Sequence, residues 1–348
     1  MRKIKECLAI ILLFYFIYSM GVLMYQVNVT RKQTDIEQSM KREVDVMTAL
    51  MLYNVDNSNN HDHNQSECQY LWKAKTADGW FEQNFKSSLK PTWTATHDNI
   101  SMDAFQWWMS LSSSNETYDA VLHLAKELVD ADRDGFLNRS TSTSCIRCAV
   151  VGNSQNLKRS GYGQLINKHN MIIRMNQCPT KGYEKDVGSR TTHYIAYPSS
   201  FNDDYLTADA SLVFAAFNLE DMKWLKSKLI DSSNITKSDD ANLIDKNKVF
   251  LFNPELMWHI KHQWGLGKGK WASTGLLSVF FALQQCDEVN IFGFGANHKG
   301  NWDHYFEDNN GETNSQFRET LVHDSEAETG LLNKLVKAKK IRMFKGFR

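Results

Sequence analysis

From Cys148 onward the chain alternates short apolar runs with stretches of helical period, and this alternation restricts its fold more than any other feature. The runs Cys148–Gly152, Met171–Met175, His193–Tyr197, Ser211–Ala216, Lys248–Phe252, Val289–Phe294 and Ile341–Phe344 read as strands. Asp221–Leu229, Glu255–Gln263, Thr274–Gln285 and Ala327–Lys337 read as helices between them. Upstream, Asp78–Leu89, Met102–Leu111 and Tyr118–Ala131 read as helices, the second carrying Trp107-Trp108. Strand and helix in alternation imply an α/β, Rossmann-like fold, with a mostly parallel central sheet covered by helices on both faces. Right-handed crossovers then bring several strand C-termini to one edge, where Gly152, Asn176 and Gly293 converge.

The first run breaks abruptly into Gly152-Asn153-Ser154, followed by Asn156. A small-residue turn at the end of a parallel strand is where α/β sheets bind nucleotides, because backbone and amide groups approach the ligand closely there. The turn is neither a GxGxxG fingerprint nor a phosphate loop, which argues against a nicotinamide-dependent enzyme. Lys+Arg and Asp+Glu balance at 40 each, so no basic field points to nucleic acid.

The N-terminus predicts a membrane anchor. Leu8 to Val27 is mostly Leu, Ile, Phe, Tyr, Val and Met, long enough to cross a bilayer as a helix. Arg2, Lys3 and Lys5 precede it and hold residues 1–7 on the cytosolic side. A cleaved signal peptide fits less well, since the run is long and no clear A-x-A site follows. Residues 28–66 read as a polar stem, with the tract His61-Asp62-His63 as solvated linker, and residues 67–348 as the luminal body. Sequons at Asn28, Asn64, Asn99, Asn115, Asn138 and Asn234 fit a luminal location.

Taken whole, CAVVGNSQNLKRSGYGQLINKHNMIIRMNQCPTKGYEKDVGSRTTHYIAY (Cys148 to Tyr197) closely resembles the large sialylmotif of the animal sialyltransferases. ASTGLLSVFFALQQCDEVNIFGFGANHKGN (Ala272 to Asn301) resembles the small one. His304-Tyr305-Phe306-Glu307 and His323 with Glu328 match the third and fourth motifs. Segments such as KGNWDHYFE look most like the branch that makes α-2,3 linkages to Galβ1-3GalNAc. The resemblance implies a variant GT-A glycosyltransferase fold and inverting, metal-independent transfer of sialic acid from CMP-sialic acid to the 3-hydroxyl of a terminal galactose. The acceptor would be an O-glycan on protein or a glycolipid, and the location the Golgi membrane, in single-pass type II orientation. No oligomeric state is implied.

By the same resemblance His323 is the general base and His304 supports the leaving phosphate. Asn153, Ser154, Asn156 and Asn176 match positions that hold the CMP moiety, and the turn Ser273-Thr274-Gly275 matches the donor-sugar site. Ser273 also reads physically as a helix N-cap, with free N–H groups that suit an anion. Gly293 and Gly295 permit close approach of the nucleotide, and Trp271 and Trp302 stand among the substrate-facing residues. The family pattern pairs Cys148 with Cys286, making Cys68–Cys145 the plausible second bridge and leaving Cys178 as a small buried residue. Cys145-x-x-Cys148 lacks the second CxxC or paired His of a zinc site.

Some positions depart from the α-2,3 relatives. Trp271-Ala272 stands where they carry Tyr-Pro, Ser112 where they carry an acceptor-binding Gln, and the stretch between Ile230 and Lys248 is shorter. These changes leave open a different linkage or acceptor, such as Galβ1-4GlcNAc or GalNAc, or a non-enzymatic Golgi glycan-binding protein.

Overall fold

The computed structural model describes residues 16–34 with scattered positions to 48, then 75–94, 100–112, 115–129, 145–230, 244–296, 302–307 and 322–346. The chain divides into one unit spanning Met1–Asp56 and another spanning Asn57–Arg348. In the first, residues 16–34 form helix α1, with Phe16, Ile17, Tyr18 and Leu23 exposed. Among the described residues no helix is long and apolar enough to cross a membrane. Residues 8–15 of the expected anchor lie outside the described set, as do residues 49–66 of the expected stem and 67–74 at the start of the expected luminal body.

In the second unit the chain runs α2 (Trp80–Asn84), β1 (Thr92–Trp93), α3 (Met102–Ser110), α4 (Tyr118–Leu128), β2 (Arg147–Val151), α5 (Gly163–Asn167), β3 (Met171–Met175), α6 (Glu184–Val187) and β4 (His193–Ala196). It continues through β5 (Ser211–Phe214), α7 (Leu219–Lys228), β6 (Leu229–Ile230), β7 (Ile244–Asp245), β8 (Val249–Phe252), α8 (Pro254–Gln263), α9 (Thr274–Gln285), β9 (Glu288–Phe292), α10 (Ser325–Lys337) and β10 (Arg342–Phe344). One sheet has the order β1-β8-β5-β4-β3-β2-β9-β10, parallel throughout except for β1, which runs antiparallel to β8. β6 and β7 form a separate two-stranded pair.

Every residue of β2, β3, β4, β8 and β9 is buried, which is why these segments read as largely apolar runs, broken only by Arg147, Arg174, His193, Glu288 and Asn290. The two-residue period still sorts them by face. Cys148, Val150, Ile173, Ile195, Val213 and Ile291 join one core with α9 and α10. Tyr194, Ala196, Leu212, Phe214 and Leu251 join a second core with α3, α4 and α7. Helix starts follow capping chemistry: Ser101, Thr117, Asn253, Ser273 and Asp324 each accept a backbone N–H at the head of α3, α4, α8, α9 and α10.

The strand order reverses at β2. From there the chain moves stepwise through β3, β4, β5 and β8, then returns to place β9 and β10 on the other flank. The C-terminal ends of β2 and β9 therefore meet at a topological switch point, where open α/β sheets bind ligands.

The Cys148–Cys286 disulfide expected from the resemblance is present, with 6.0 Å between Cα atoms and the partners 138 positions apart in sequence. It ties β2 to the end of α9. Cys145 is also disulfide-bonded, while Cys68 lies outside the described residues. Cys178 is free and buried, as expected. Replacing both Cys148 and Cys286 with Ala lifts the constraint on a long loop of the unfolded chain. We expect a loss of about 4 kcal/mol in urea unfolding relative to the oxidised protein, and a difference below 1 kcal/mol would sink this account.

Candidate active site

Two glycines make the switch point close-packed. Gly152 N–H donates to Phe292 O at 2.8 Å, and Ser154 N–H to Gly293 O at 3.0 Å. A Cβ on Gly152 would lie 2.6 Å from Gly293 O. Gly293 has φ +70°, and a Cβ there would lie 2.5 Å from Leu157 and 2.8 Å from Gly152 O. Neither position admits a side chain without moving backbone. With the two turns in contact, Ser154 Oγ donates to Gly295 O at 2.6 Å and Asn156 Nδ2 to Phe294 O at 2.9 Å.

Asparagines line the adjoining strand end. Asn153 Nδ2 donates to Met175 O at 3.1 Å, and Asn176, next in the chain, adopts a left-handed φ of 54°. The side-chain oxygens of Asn153, Asn156 and Asn176 are all buried without a hydrogen-bond partner. Three unpaired buried acceptors in one corner are costly in a fold. Gly346 closes the corner from below: a Cβ there would collide with Asn156 O. Its neighbour Lys345 receives the Tyr162 hydroxyl on its carbonyl at 2.9 Å.

The third motif lies across this turn. Gln155 N–H donates to Asp303 O at 2.8 Å, Tyr305 N–H donates to Asn153 O at 2.9 Å, and Ser154 and His304 form a β-bridge. His304 Nδ1 donates to Glu307 Oε1 at 2.8 Å, and its half-exposed ring stacks on Phe306. That bond fixes the proton on Nδ1 and turns Nε2 to other partners. Trp302 sits half-buried at the start of this segment.

Beneath it lies a cation the sequence reading passed over. Arg174 is fully buried in β3, where Nη2 donates to Val187 O at 2.6 Å and Nε to Thr191 Oγ1 at 3.1 Å. Its charge acts on Tyr305 and Cys178, and burial pushes the Cys178 thiol up to about 12.

The fourth motif and the head of α9 form the other side. His323 Nδ1 donates to Trp271 O at 3.1 Å, which leaves the lone pair of the neutral ring on Nε2. Burial lowers the His323 pKa below its ordinary value, partly offset by that hydrogen bond. Trp271 stacks on Phe217 with 5.0 Å between centroids, and Phe217 meets Tyr197 edge-on. Nearby, Trp108 Nε1 donates to Ala216 O at 2.9 Å, anchoring α3, with Ser112 just beyond its end.

Ser273 caps α9 and is itself held: its N–H donates to Glu328 Oε1 at 2.7 Å and its hydroxyl to Glu328 Oε2. Thr274 is buried behind it. A Cβ on Gly275 would stand 3.3 Å from Phe294 and 3.8 Å from Met175 Sδ, which brings the head of α9 to the ends of β9 and β3. The structure thus gathers Asn153, Ser154, Asn156, Asn176, Gly293, Gly275 and His304 into one contact network. Trp271, His323, Ser273 and Glu328 form a second cluster, joined to the first through the head of α9. Among the described residues no group of three or more His, Cys, Asp or Glu is placed to hold a metal ion.

The model of glycosyltransferase family 29 (sialyltransferase) matches residues 92–340. The chain belongs to this family. The CMP-N-acetylneuraminate-β-galactosamide-α-2,3-sialyltransferase 2 of Rattus norvegicus is 41% identical over 270 residues, covering 77% of this chain and 76% of the relative. The corresponding sialyltransferase 1 of Gallus gallus is 40% identical over 272 residues, covering 77% and 78%. A crystal structure of a mammalian sialyltransferase in complex with Galβ1-3GalNAc-ortho-nitrophenol is 34% identical. It superposes with a TM-score of 0.69 over 80% of this chain and 98% of that one. The protein is thus a sialyltransferase, and the α/β fold is that of its family.

Glu328 gives this sialyltransferase a pH signature. Burial raises its pKa from 4.5 to about 7, against the two bonds from Ser273. Between those values the folded chain holds a proton that the unfolded chain releases. Stability from this group is therefore complete below pH 4.5 and lost as pH rises through about 7, about 3 kcal/mol in all. Glu328→Gln cannot ionise, so the wild type should lose stability relative to it as pH climbs from 5 to 8 in urea titrations. A constant difference across that range would refute the assignment.

Proposed function

We propose that this sialyltransferase moves sialic acid from CMP-sialic acid to the 3-hydroxyl of a terminal galactose, with Galβ1-3GalNAc as acceptor. The relatives' names support the α-2,3 linkage to galactose, and the Galβ1-3GalNAc compound in the related crystal structure supports the acceptor. The observation that carries the mechanism is the Nδ1 bond of His323 to Trp271 O, which presents a basic Nε2.

In this reading the galactose 3-oxygen attacks the anomeric carbon of sialic acid. The bond to the phosphate oxygen breaks, and CMP departs with the electron pair. The hydroxyl proton passes to Nε2 of His323. One displacement with no protein nucleophile inverts the anomeric carbon. His304 stabilises the departing phosphate, its ring held in place by the Nδ1 bond to Glu307. The asparagine corner holds the cytidine, and the Ser273-Thr274-Gly275 turn holds the donor sugar. No metal enters this scheme. The body works on the luminal side of the Golgi membrane, tethered by residues 8–27 in type II orientation and acting on glycoprotein or glycolipid acceptors.

One observation favours a variation in acceptor. Trp271, stacked on Phe217, keeps an aromatic surface where the relatives present a Tyr hydroxyl. A lost hydroxyl weakens discrimination among galactosides, so Galβ1-4GlcNAc and GalNAc belong in the acceptor panel.

With EDTA present, the purified protein should form α-2,3 linkages on Galβ1-3GalNAc. His323→Ala should lower kcat by about 10²–10⁴-fold and His304→Ala by about 10²-fold. The base works only when neutral, so activity falls as pH drops through the His323 pKa. The acid limb should lie below the 6.5 of an ordinary imidazole. Linkage analysis showing another bond, or full activity in His323→Ala, would overturn the proposal.

A further inference from the structure

Lys261 is a buried ammonium that the scheme above does not use. It projects from the last turn of α8, and its Nζ donates to three successive backbone carbonyls, those of Leu266, Gly267 (3.4 Å) and Lys268 (3.0 Å). The three donors of an ammonium match three acceptors, so the loop after α8 is folded around this one charge. A cation at this end of α8 also complements the helix dipole.

The same loop carries the catalytic histidine on its far side. Lys268 N–H donates to Asp324 Oδ2 at 3.0 Å, and Lys270 N–H to Val322 O at 2.8 Å. Gly269, at φ +82°, lies so close that a Cβ would stand 2.6 Å from Val322 O and 3.0 Å from His323 Cα. Trp271 O then receives His323 Nδ1. Residues 266–268 thus hold the ammonium, and residues 268–271 hold residues 322–324. The charged groups facing Lys261 are the carboxylates of Asp324, the N-cap of α10, and Glu328, which binds Ser273. The exposed Lys268 also faces Asp324.

We propose that Lys261 is a positioning residue for His323: the ammonium clamps the 266–271 loop, and the loop sets the orientation and the dryness of the base. The inference rests on the reading of His323 as general base. Replacing Lys261 with Met leaves three converging carbonyls without a donor. They separate or admit water, and His323 loses both its fixed Trp271 contact and its burial. Burial holds the His323 pKa down, so loosening the loop moves that pKa up towards the ordinary value.

The test compares wild type, Lys261→Met, Lys261→Arg and Gly269→Ala. It reads the His323 imidazole titration by NMR, kcat and KM across pH, and Tm. Lys261→Met should raise the His323 pKa, lower kcat about tenfold and leave the KM for CMP-sialic acid within about twofold. Lys261→Arg keeps the charge and donors and should recover most of the loss. Gly269→Ala perturbs the loop from the His323 side and should shift the titration in the same sense, with little further shift in the double variant. A folded Lys261→Met with wild-type titration and kcat overturns the proposal. If that variant does not fold, Gly269→Ala decides, since an unchanged His323 titration there is equally fatal. A wild type that transfers no sialic acid defeats the base assignment, while the NMR titrations still show whether Lys261 governs His323.

Discussion

The contact between Gly152 and Gly293 is the constraint on which the site depends. Two parallel strands end side by side at the point where the connections diverge, and their turns touch backbone to backbone. This proximity lets Ser154 reach Gly295, lets Asn156 reach Phe294, and lets the 302–307 segment lie down along residues 153–155. A methyl group at either glycine pushes the two turns apart and with them most of the polar contacts described for the asparagine corner.

The other half of the site is held by longer reach. Glu328 and Ser273 are 55 residues apart and meet through two hydrogen bonds. Trp271 and His323, 52 apart, meet through one. These contacts fasten α10 to the head of α9, while Gly275 against Phe294 and Met175 fastens the head of α9 to the sheet. Covalent closure at Cys148–Cys286 secures the opposite end of α9 to β2. The helix that carries the Ser-Thr-Gly turn is therefore anchored at both ends, which suits a turn that must keep its N–H groups aimed.

The sheet was legible because its strands are buried on both faces and bounded by turn residues. β3 and α9 fall within the expected limits, and β2, β4, β8, β9 and β10 differ by a residue or two at their ends. β1 was not anticipated: two residues, Thr92–Trp93, carry no periodicity, and their antiparallel pairing with β8 depends on a partner far along the chain. α5 and α6 were also missed, being single turns rich in polar residues and glycine. In the site, the turn residues and both histidines stood out as motifs, whereas the bonds that orient them did not. Glu328 was visible as a motif residue, but its attachment to Ser273 exists only in the folded chain. Lys261 looks in sequence like an ordinary solvent-facing lysine near a helix end, and a local apolar–polar pattern cannot show that three carbonyls wrap around it. Residues 49–74, 130–144 and 231–243 are outside the described set, and with them most of the stem, Cys68 and most of the shortened segment before Lys248.

Arg174 gives the two sides of the site different electrical character. Burial lowers the pKa of the Arg174 guanidinium, yet arginine is so strong a base that the region beneath Tyr305 carries a positive charge at neutral pH. Beside Trp271 the ionisable groups are an imidazole and a carboxyl, both with pKa values displaced by burial. The charge there, by contrast, depends on pH through these two groups. On the proposed reading, a change in the surrounding acidity would act as a dial on activation of the incoming sugar hydroxyl.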